Sequence, residues 1–259
     1  MIKPVLHYFN LADEVVSFST TRHGGVSKGK LATLNINPHR GDEPSAVAEN
    51  LQAVAAEIGV QADKVIRLHQ IHETHCLTVT DAFLNLSAAE QYEMEEGKDA
   101  VVTDCRNVCI GVHTADCVPL LFYDPVHHAI GAAHAGWRGT VQRIAQHTLR
   151  KMTELYGTDP KELKAVVGPC ISLKNFEVGQ EVYDAFSAAG FPMERIARMY
   201  EKWHINLPLC NQLQLEELGV HAANILQSGI CTYDNASDFF SARILKEGFG
   251  TIYTGIALK

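Results

Sequence analysis

The chain has 259 residues, 46% hydrophobic and 20% charged, which is enough to bury a sizeable core. Its 22 Lys and Arg against 30 Asp and Glu give a formal charge of −8 with no basic block, which argues against a nucleic-acid partner. No apolar run approaches the roughly 18 to 20 residues of a membrane span, and the opening Met1-Ile-Lys-Pro-Val-Leu-His-Tyr lacks a signal-peptide pattern.

Along the chain, Pro44–Ile58 is predicted as a helix: Val47, Leu51, Val54, Ala55 and Ile58 recur at helical spacing and Gly59 stops it. Cys76–Thr80, Ala100–Thr103, Val108–His113, Val118–Tyr123 and Ala129–Ala133 read as short strands. Thr140–Tyr156 is a second helix, with Val141, Ile144, Ala145, Thr148, Leu149, Met152 and Leu155 on its apolar face and Gly157 as its C-cap. Lys164–Val167 follows as a strand, then helices over Val178–Ala189 and Leu209–Leu218, closed by Gly190 and Gly219. Thr251–Leu258 alternates, with Ile252, Ile256 and Leu258 on one side. Strands come in runs and helices do not alternate with them. That favours an α+β fold, a layered sandwich with a mixed β-sheet core and helices packed outside. No Pro/Ser/Gly-rich linker or repeat divides it, so residues 1–259 read as a single domain. The seven cysteines (76, 105, 109, 117, 170, 210, 231) include no C-x-x-C pair, which reads as reduced thiols in the cytoplasm.

Four segments could carry chemistry. Histidines 69, 72 and 75 are spaced by three. In an extended segment His72 would face opposite His69 and His75, and in a helix all three would share a face. His72-Glu73-Thr74-His75 is one residue short of the zinc-protease pattern H-E-x-x-H. The second segment, His113-Thr-Ala-Asp-Cys117-Val-Pro119, puts a polar Asp-Cys pair between two apolar strands. It is either a sheet-end site or a buried structural cysteine. In the third, a small-residue strand delivers His134 to Ala135-Gly136-Trp137-Arg138-Gly139, where a helix begins. Free amides there and the Arg138 guanidinium would suit an anion. Near residue 240, Asp238-Phe-Phe-Ser241-Ala-Arg243 joins two aromatics to a hydroxyl and a guanidinium.

Taken in order, several motifs resemble one bacterial family across nearly the whole chain. They are Thr21-Arg22-His23-Gly24-Gly25-Val26-Ser27, Leu34-Asn35, Gly41-Asp42 and Gln70-Ile71-His72. Thr114-Ala115-Asp116-Cys117-x-Pro119, His134-Ala135-Gly136-Trp137-Arg138-Gly139, Gly168-Pro169-x-Ile171 and Phe240-Ser241-x-Arg243 complete the set. The family is the one named for laccase domains or polyphenol oxidoreductases and reinterpreted as zinc-dependent purine nucleoside phosphorylases. One departure is Phe239-Phe240-Ser241-Ala242-Arg243, since an aromatic commonly stands before the arginine.

The resemblance implies metal ligands His72, Cys117 and His134, and so selects His72 among the three histidines. It implies phosphorolysis of adenosine, inosine and methylthioadenosine, and deamination of adenosine to inosine. Asp116 is then the candidate proton shuttle, and Arg22, Gln70, Arg138, Ser241 and Arg243 are candidate contacts to substrate or phosphate. Two imidazoles and a thiolate suit Zn2+, with copper possible, and three protein ligands leave the open position of a catalytic site. The expected partners are purine nucleosides and phosphate, with no nucleic acid or membrane, for a cytoplasmic monomer or small homo-oligomer. The rival readings are a copper-dependent polyphenol oxidoreductase and a metal-independent Cys-His hydrolase with Cys117 as nucleophile.

Overall fold

The computed structural model describes residues 3–259. A six-stranded mixed sheet runs in the order Ile225–Gln227, Lys164–Val167, Val118–Asp124, Ala129–Ala135, Ala100–Thr103, Cys76–Thr78. Its outermost pairings are parallel and the three between them antiparallel. A four-stranded antiparallel sheet runs Leu6–Tyr8, Val15–Thr20, Ile252–Leu258, Cys109–Thr114. A small antiparallel sheet joins Ala197–Met199, Trp203–Ile205 and Glu177–Val178.

Side-chain parity explains the layering. Along Val118–Asp124, Val118, Leu120 and Phe122 pack on one side, against Ile144, Leu149 and Met152 of one helix and Leu213 and Leu215 of another. The alternate residues Leu121 and Tyr123 pack on the other side, against Ile110, Val112, Ile256 and Leu258 of the four-stranded sheet. The far face of that second sheet offers Phe18, Cys109, Tyr253 and Ala257 to Leu51, Val54, Ala55 and Ile58 of the helix Pro44–Ile58. The result is an α+β sandwich of helix, sheet, sheet and helix. Strands buried on both faces need apolar residues at both parities, which is why they read as unbroken apolar runs.

The helix Pro44–Ile58 ends at Gly59 as expected, in the left-handed conformation (φ 76°). The predicted helix over Thr140–Tyr156 is two. Trp137–Val141 starts directly on Gly136, and Ile144–Tyr156 follows after Arg143 turns left-handed at φ 65°. Arg143 is held in that turn by a bond to the Ala189 carbonyl (2.8 Å) and by stacking on Phe191. Val178 belongs to a strand, and its helix is Gln180–Ala188. Val15–Thr20 is an unpredicted strand, and two of its buried polar residues are paired: Ser19 Oγ meets Thr254 Oγ1 at 2.6 Å, and Thr20 Oγ1 accepts from the Tyr253 amide. Among the described residues no helix is long and apolar enough to cross a membrane.

Candidate metal centre

The antiparallel pairing of Val118–Asp124 with Ala129–Ala135 puts Val118 opposite Ala135 and Pro119 opposite His134. Cys117, one residue before the strand, therefore arrives beside His134 at the same sheet end. Asp99, one residue before the neighbouring strand Ala100–Thr103, supplies the third element. Its carbonyl accepts from the His134 amide (2.7 Å) and its carboxylate Oδ1 accepts from His134 Nδ1 (2.7 Å). The same carboxylate accepts from three consecutive backbone amides, Ile71 (3.0 Å), His72 (2.9 Å) and Glu73 (3.0 Å). That wrapping turns His72 left-handed (φ 68°) and presents its ring over His134, with centroids 4.7 Å apart and planes near perpendicular.

One donor atom from each of His72, Cys117 and His134 lies within 4.8 Å of the others, a spacing close to the span of two metal bonds of about 2.0–2.3 Å. Asp99 fixes the donor of His134: with Nδ1–H given to the carboxylate, Nε2 carries the free lone pair. Gly136 keeps the space open. A Cβ there would meet His72 Cδ2 at 3.0 Å and Cys117 Sγ at 3.2 Å. A His/Cys/His cluster of this kind could bind a metal.

The electrostatics suit it. Burial pushes the Cys117 thiol up, but the charge and hydrogen bond of His134, with help from His72, outweigh it and hold Cys117 at about 6. Burial likewise works against a charged His134, and Cys117 and Asp99 outweigh it, raising His134 to about 9. Burial raises Asp99 too, yet its bond to His134 and the backbone donors leave it below the ordinary carboxylate value. Without metal these shifts favour a thiolate–imidazolium pair backed by a carboxylate.

The segment carrying the three histidines is neither strand nor helix, so the choice between parities does not arise. His69 turns to Glu96 (2.6 Å) and stacks on His39 at 4.0 Å, and His75 pairs with Glu73 in solvent. Only His72 reaches the cluster.

Asp116 adjoins Cys117 but is committed elsewhere. Its carboxylate accepts from Thr232 Oγ1 (2.7 Å), Ser241 Oγ (3.0 Å) and the Arg243 amide (2.7 Å), and its carbonyl accepts from the Ile171 amide. With φ at 84° it forms a clamp that pins the Cys117 turn to residues 171, 232 and 241–243. Ser241 is buried inside that clamp. Arg22 donates to the Ala32 and Ala236 carbonyls and stacks on Phe240. Exposed Arg138 lies over Trp137, and Arg243 bonds the Glu177 carbonyl.

A cavity of about 250 Å³ opens beside the cluster, and His72, Cys117 and His134 all line it. Of the five expected substrate contacts, only Gln70 does so. Its amide is fixed by exchanging bonds with the His113 backbone (2.8 and 2.7 Å). The remaining polar walls are Asn37, His39, Arg40, His69, His113, Thr114 and Thr251. Arg40 and Asp99 are the residues that sequence reasoning missed. Arg40 stands directly before the Gly41-Asp42 motif, which was its one available signal, whereas Asp99 has no local signature.

A family model described as multi-copper polyphenol oxidoreductase laccase matches residues 16–259. The chain is 41% identical to a purine nucleoside phosphorylase of Bacteroides thetaiotaomicron, over 99% of this chain and 97% of that protein. It is 35% identical to adenosine deaminase RL5, from an unknown prokaryotic organism, over 98% of each. Its fold is similar to that in the crystal structure of the Bacillus licheniformis hypothetical protein YfiH, with TM-score 0.91, 30% identity and coverage of 99% of this chain and 97% of that one.

Proposed function

The chain belongs to the family described as multi-copper polyphenol oxidoreductase laccase, and on that premise we propose that it is a zinc-dependent purine nucleoside phosphorylase. Its substrates are adenosine, inosine and methylthioadenosine, and it also deaminates adenosine to inosine. The observation that carries the reading is the convergence of His72, Cys117 and His134 on one cavity, in a chain whose relatives bear both activities in their names.

Among the described residues the cluster has three donors and no fourth, the pattern of a metal site that keeps a position for substrate or water. One thiolate with two imidazoles favours zinc or copper over magnesium. A zinc ion held there would supply Lewis acidity and lower the pKa of a coordinated water. The protein's own groups do the positioning. Asp99 orients His134 and shapes the loop of His72, Asp116 holds the Cys117 turn, and Gln70 forms a fixed wall. In phosphorolysis a phosphate oxygen bonds C1′ of the ribose while the bond to the purine nitrogen breaks, so the cavity must hold both reactants side by side. The reading also takes residues 1–259 as a single domain, cytoplasmic, and a monomer or small homo-oligomer.

The test couples metal analysis to product analysis. Zinc-loaded protein incubated with adenosine should release adenine and ribose 1-phosphate only when phosphate is present, and inosine without it. Adenosine left untouched in both cases would overturn the reading. The lowered Cys117 thiol beside His134 favours one alternative, a metal-independent hydrolase with Cys117 as nucleophile. Turnover that persists after chelation and stops on thiol alkylation would establish it. A copper-dependent oxidoreductase would instead purify with copper and oxidise phenols.

A further inference from the structure

Phosphorolysis needs a group that holds phosphate, and Arg22, Arg138 and Arg243 do not line the cavity. Arg40 does. Its Nε donates to the Phe249 carbonyl (3.0 Å) and its guanidinium carbon stands 4.3 Å from the centre of the Phe249 ring. Those two contacts fix the plane of the fork. Its outer N–H groups have no protein partner, and no carboxylate pairs with it among the described residues. A half-buried guanidinium without a counter-charge favours an anion that accepts two parallel hydrogen bonds.

A second observation comes from His113, which is 4% exposed, lines the same cavity, and has a buried Nε2 with no hydrogen-bond partner. The surrounding network accommodates the proton on Nε2. The His39 amide donates to Asn37 Oδ1 (2.9 Å), so the other end of that side chain is the NH2 group, and it donates to Thr251 Oγ1 (3.2 Å). The Thr251 hydroxyl proton is then free to go to His113 Nδ1 (3.3 Å), the arrangement that leaves the hydrogen on Nε2. In that arrangement Asn37, Thr251 and His113 form a relay that ends in a buried, unpartnered N–H on a side chain lining the cavity. It is a donor without charge, so it can sit near Arg40 without repelling it.

We propose that Arg40 and the Nε2–H of His113 form an oxyanion subsite for inorganic phosphate in the cavity beside the metal ligands. This rests on the phosphorylase reading for its purpose but not for its geometry. The same chemistry would fit the phosphate ester of a nucleotide, so the experiment separates the two sources.

Zinc-loaded wild type, Arg40→Gln, Arg40→Lys and Thr251→Val are compared by adenine release over a grid of phosphate and adenosine concentrations. In Arg40→Gln the KM for phosphate should rise about tenfold or more relative to the KM for adenosine, the loss expected for a charged bidentate contact. Arg40→Lys should recover part of it, and Thr251→Val, which removes the proton donor to Nδ1, should shift the phosphate KM in the same direction. Equal changes in both KM values, or an unmoved phosphate KM, would overturn the subsite. Inorganic phosphate is also titrated calorimetrically into each zinc-loaded protein without nucleoside. If wild type makes no adenine, the phosphorylase reading fails alone: phosphate heat present in wild type and lost in Arg40→Gln keeps the subsite, and no heat in wild type removes it. A parallel arm offers adenosine 5′-monophosphate. Arg40→Gln that weakens this ester but not free phosphate would refute the phosphate assignment. Melting temperatures confirm folding, and should Arg40→Gln fail to fold, Arg40→Lys and Thr251→Val decide the outcome.

Discussion

Replacing Asp99 with Asn tests how far the metal site depends on one carboxylate that touches no metal. Oδ1 accepts from His134 Nδ1 and the His72 amide, and Oδ2 accepts from the Ile71 and Glu73 amides. Asparagine has one acceptor oxygen, so in either orientation its NH2 group faces two N–H donors. If NH2 takes the Oδ2 place, the loop carrying His72 loses two charge-assisted bonds, roughly 3–6 kcal/mol at about 1.5–3 kcal/mol each. If it takes the Oδ1 place, His134 must accept at Nδ1, which moves its proton to Nε2, the atom needed by the metal. Either way zinc affinity should fall on the order of 10- to 100-fold, as for other residues that orient metal ligands. Competition with a chelator of known affinity measures the change, and circular dichroism checks the fold. An Asp99→Asn protein that folds and binds zinc within about twofold of wild type would refute the reasoning that this carboxylate organises the ligands.

Other outcomes follow from the same geometry. Alanine at His72, Cys117 or His134 should abolish stoichiometric metal and turnover together, whereas alanine at His75 should retain both and alanine at His69 should retain the metal, read by metal analysis and adenosine consumption. Gly136→Ala should weaken zinc on the order of tenfold, about 1.4 kcal/mol, because its methyl would press on His72 and Cys117. Asp116→Ala should lower stability by about 2–5 kcal/mol even in chelated protein, since it strands the Thr232, Ser241 and Arg243 donors. Unchanged melting with lost deamination would instead return Asp116 to the role of proton shuttle. In metal-free protein, the contribution of Cys117 is present above its unfolded value of 9.0 and lost as pH falls through about 6. That of His134 is present below its unfolded value of 6.5 and lost as pH rises through about 9. The pair is therefore intact between about 6 and 9, and the melting advantage of wild type over Cys117→Ser should shrink on both sides of that window.

The layered α+β architecture was legible because its signals are local. The helix Pro44–Ile58 and the strands Ala100–Thr103 and Lys164–Val167 have the predicted bounds. Val15–Thr20 was not legible, because Ser19 and Thr20, which look solvent-exposed in one dimension, are paired with residues more than 230 positions away. The ligand trio came from motif resemblance, and spacing alone would not have chosen His72, whose left-handed backbone is imposed by Asp99. Asp99 stayed hidden for the same reason: its four carboxylate partners lie 26 to 35 residues distant. Tertiary contacts commit Arg22 and Arg243 to backbone carbonyls, Arg138 is exposed over its neighbour Trp137, and none of the three lines the cavity, whose wall Arg40 occupies.

The strand Ile252–Leu258 lies between Val15–Thr20 and Cys109–Thr114, and each of its sides faces a different apolar layer. During synthesis the two flanking strands emerge long before the one that joins them. Until it arrives, both expose backbone edges and bare apolar surface. Such distant pairings make folding slow and leave the nascent chain prone to association. A ribosome-stalled chain ending before residue 252 should therefore remain protease-sensitive and chaperone-bound.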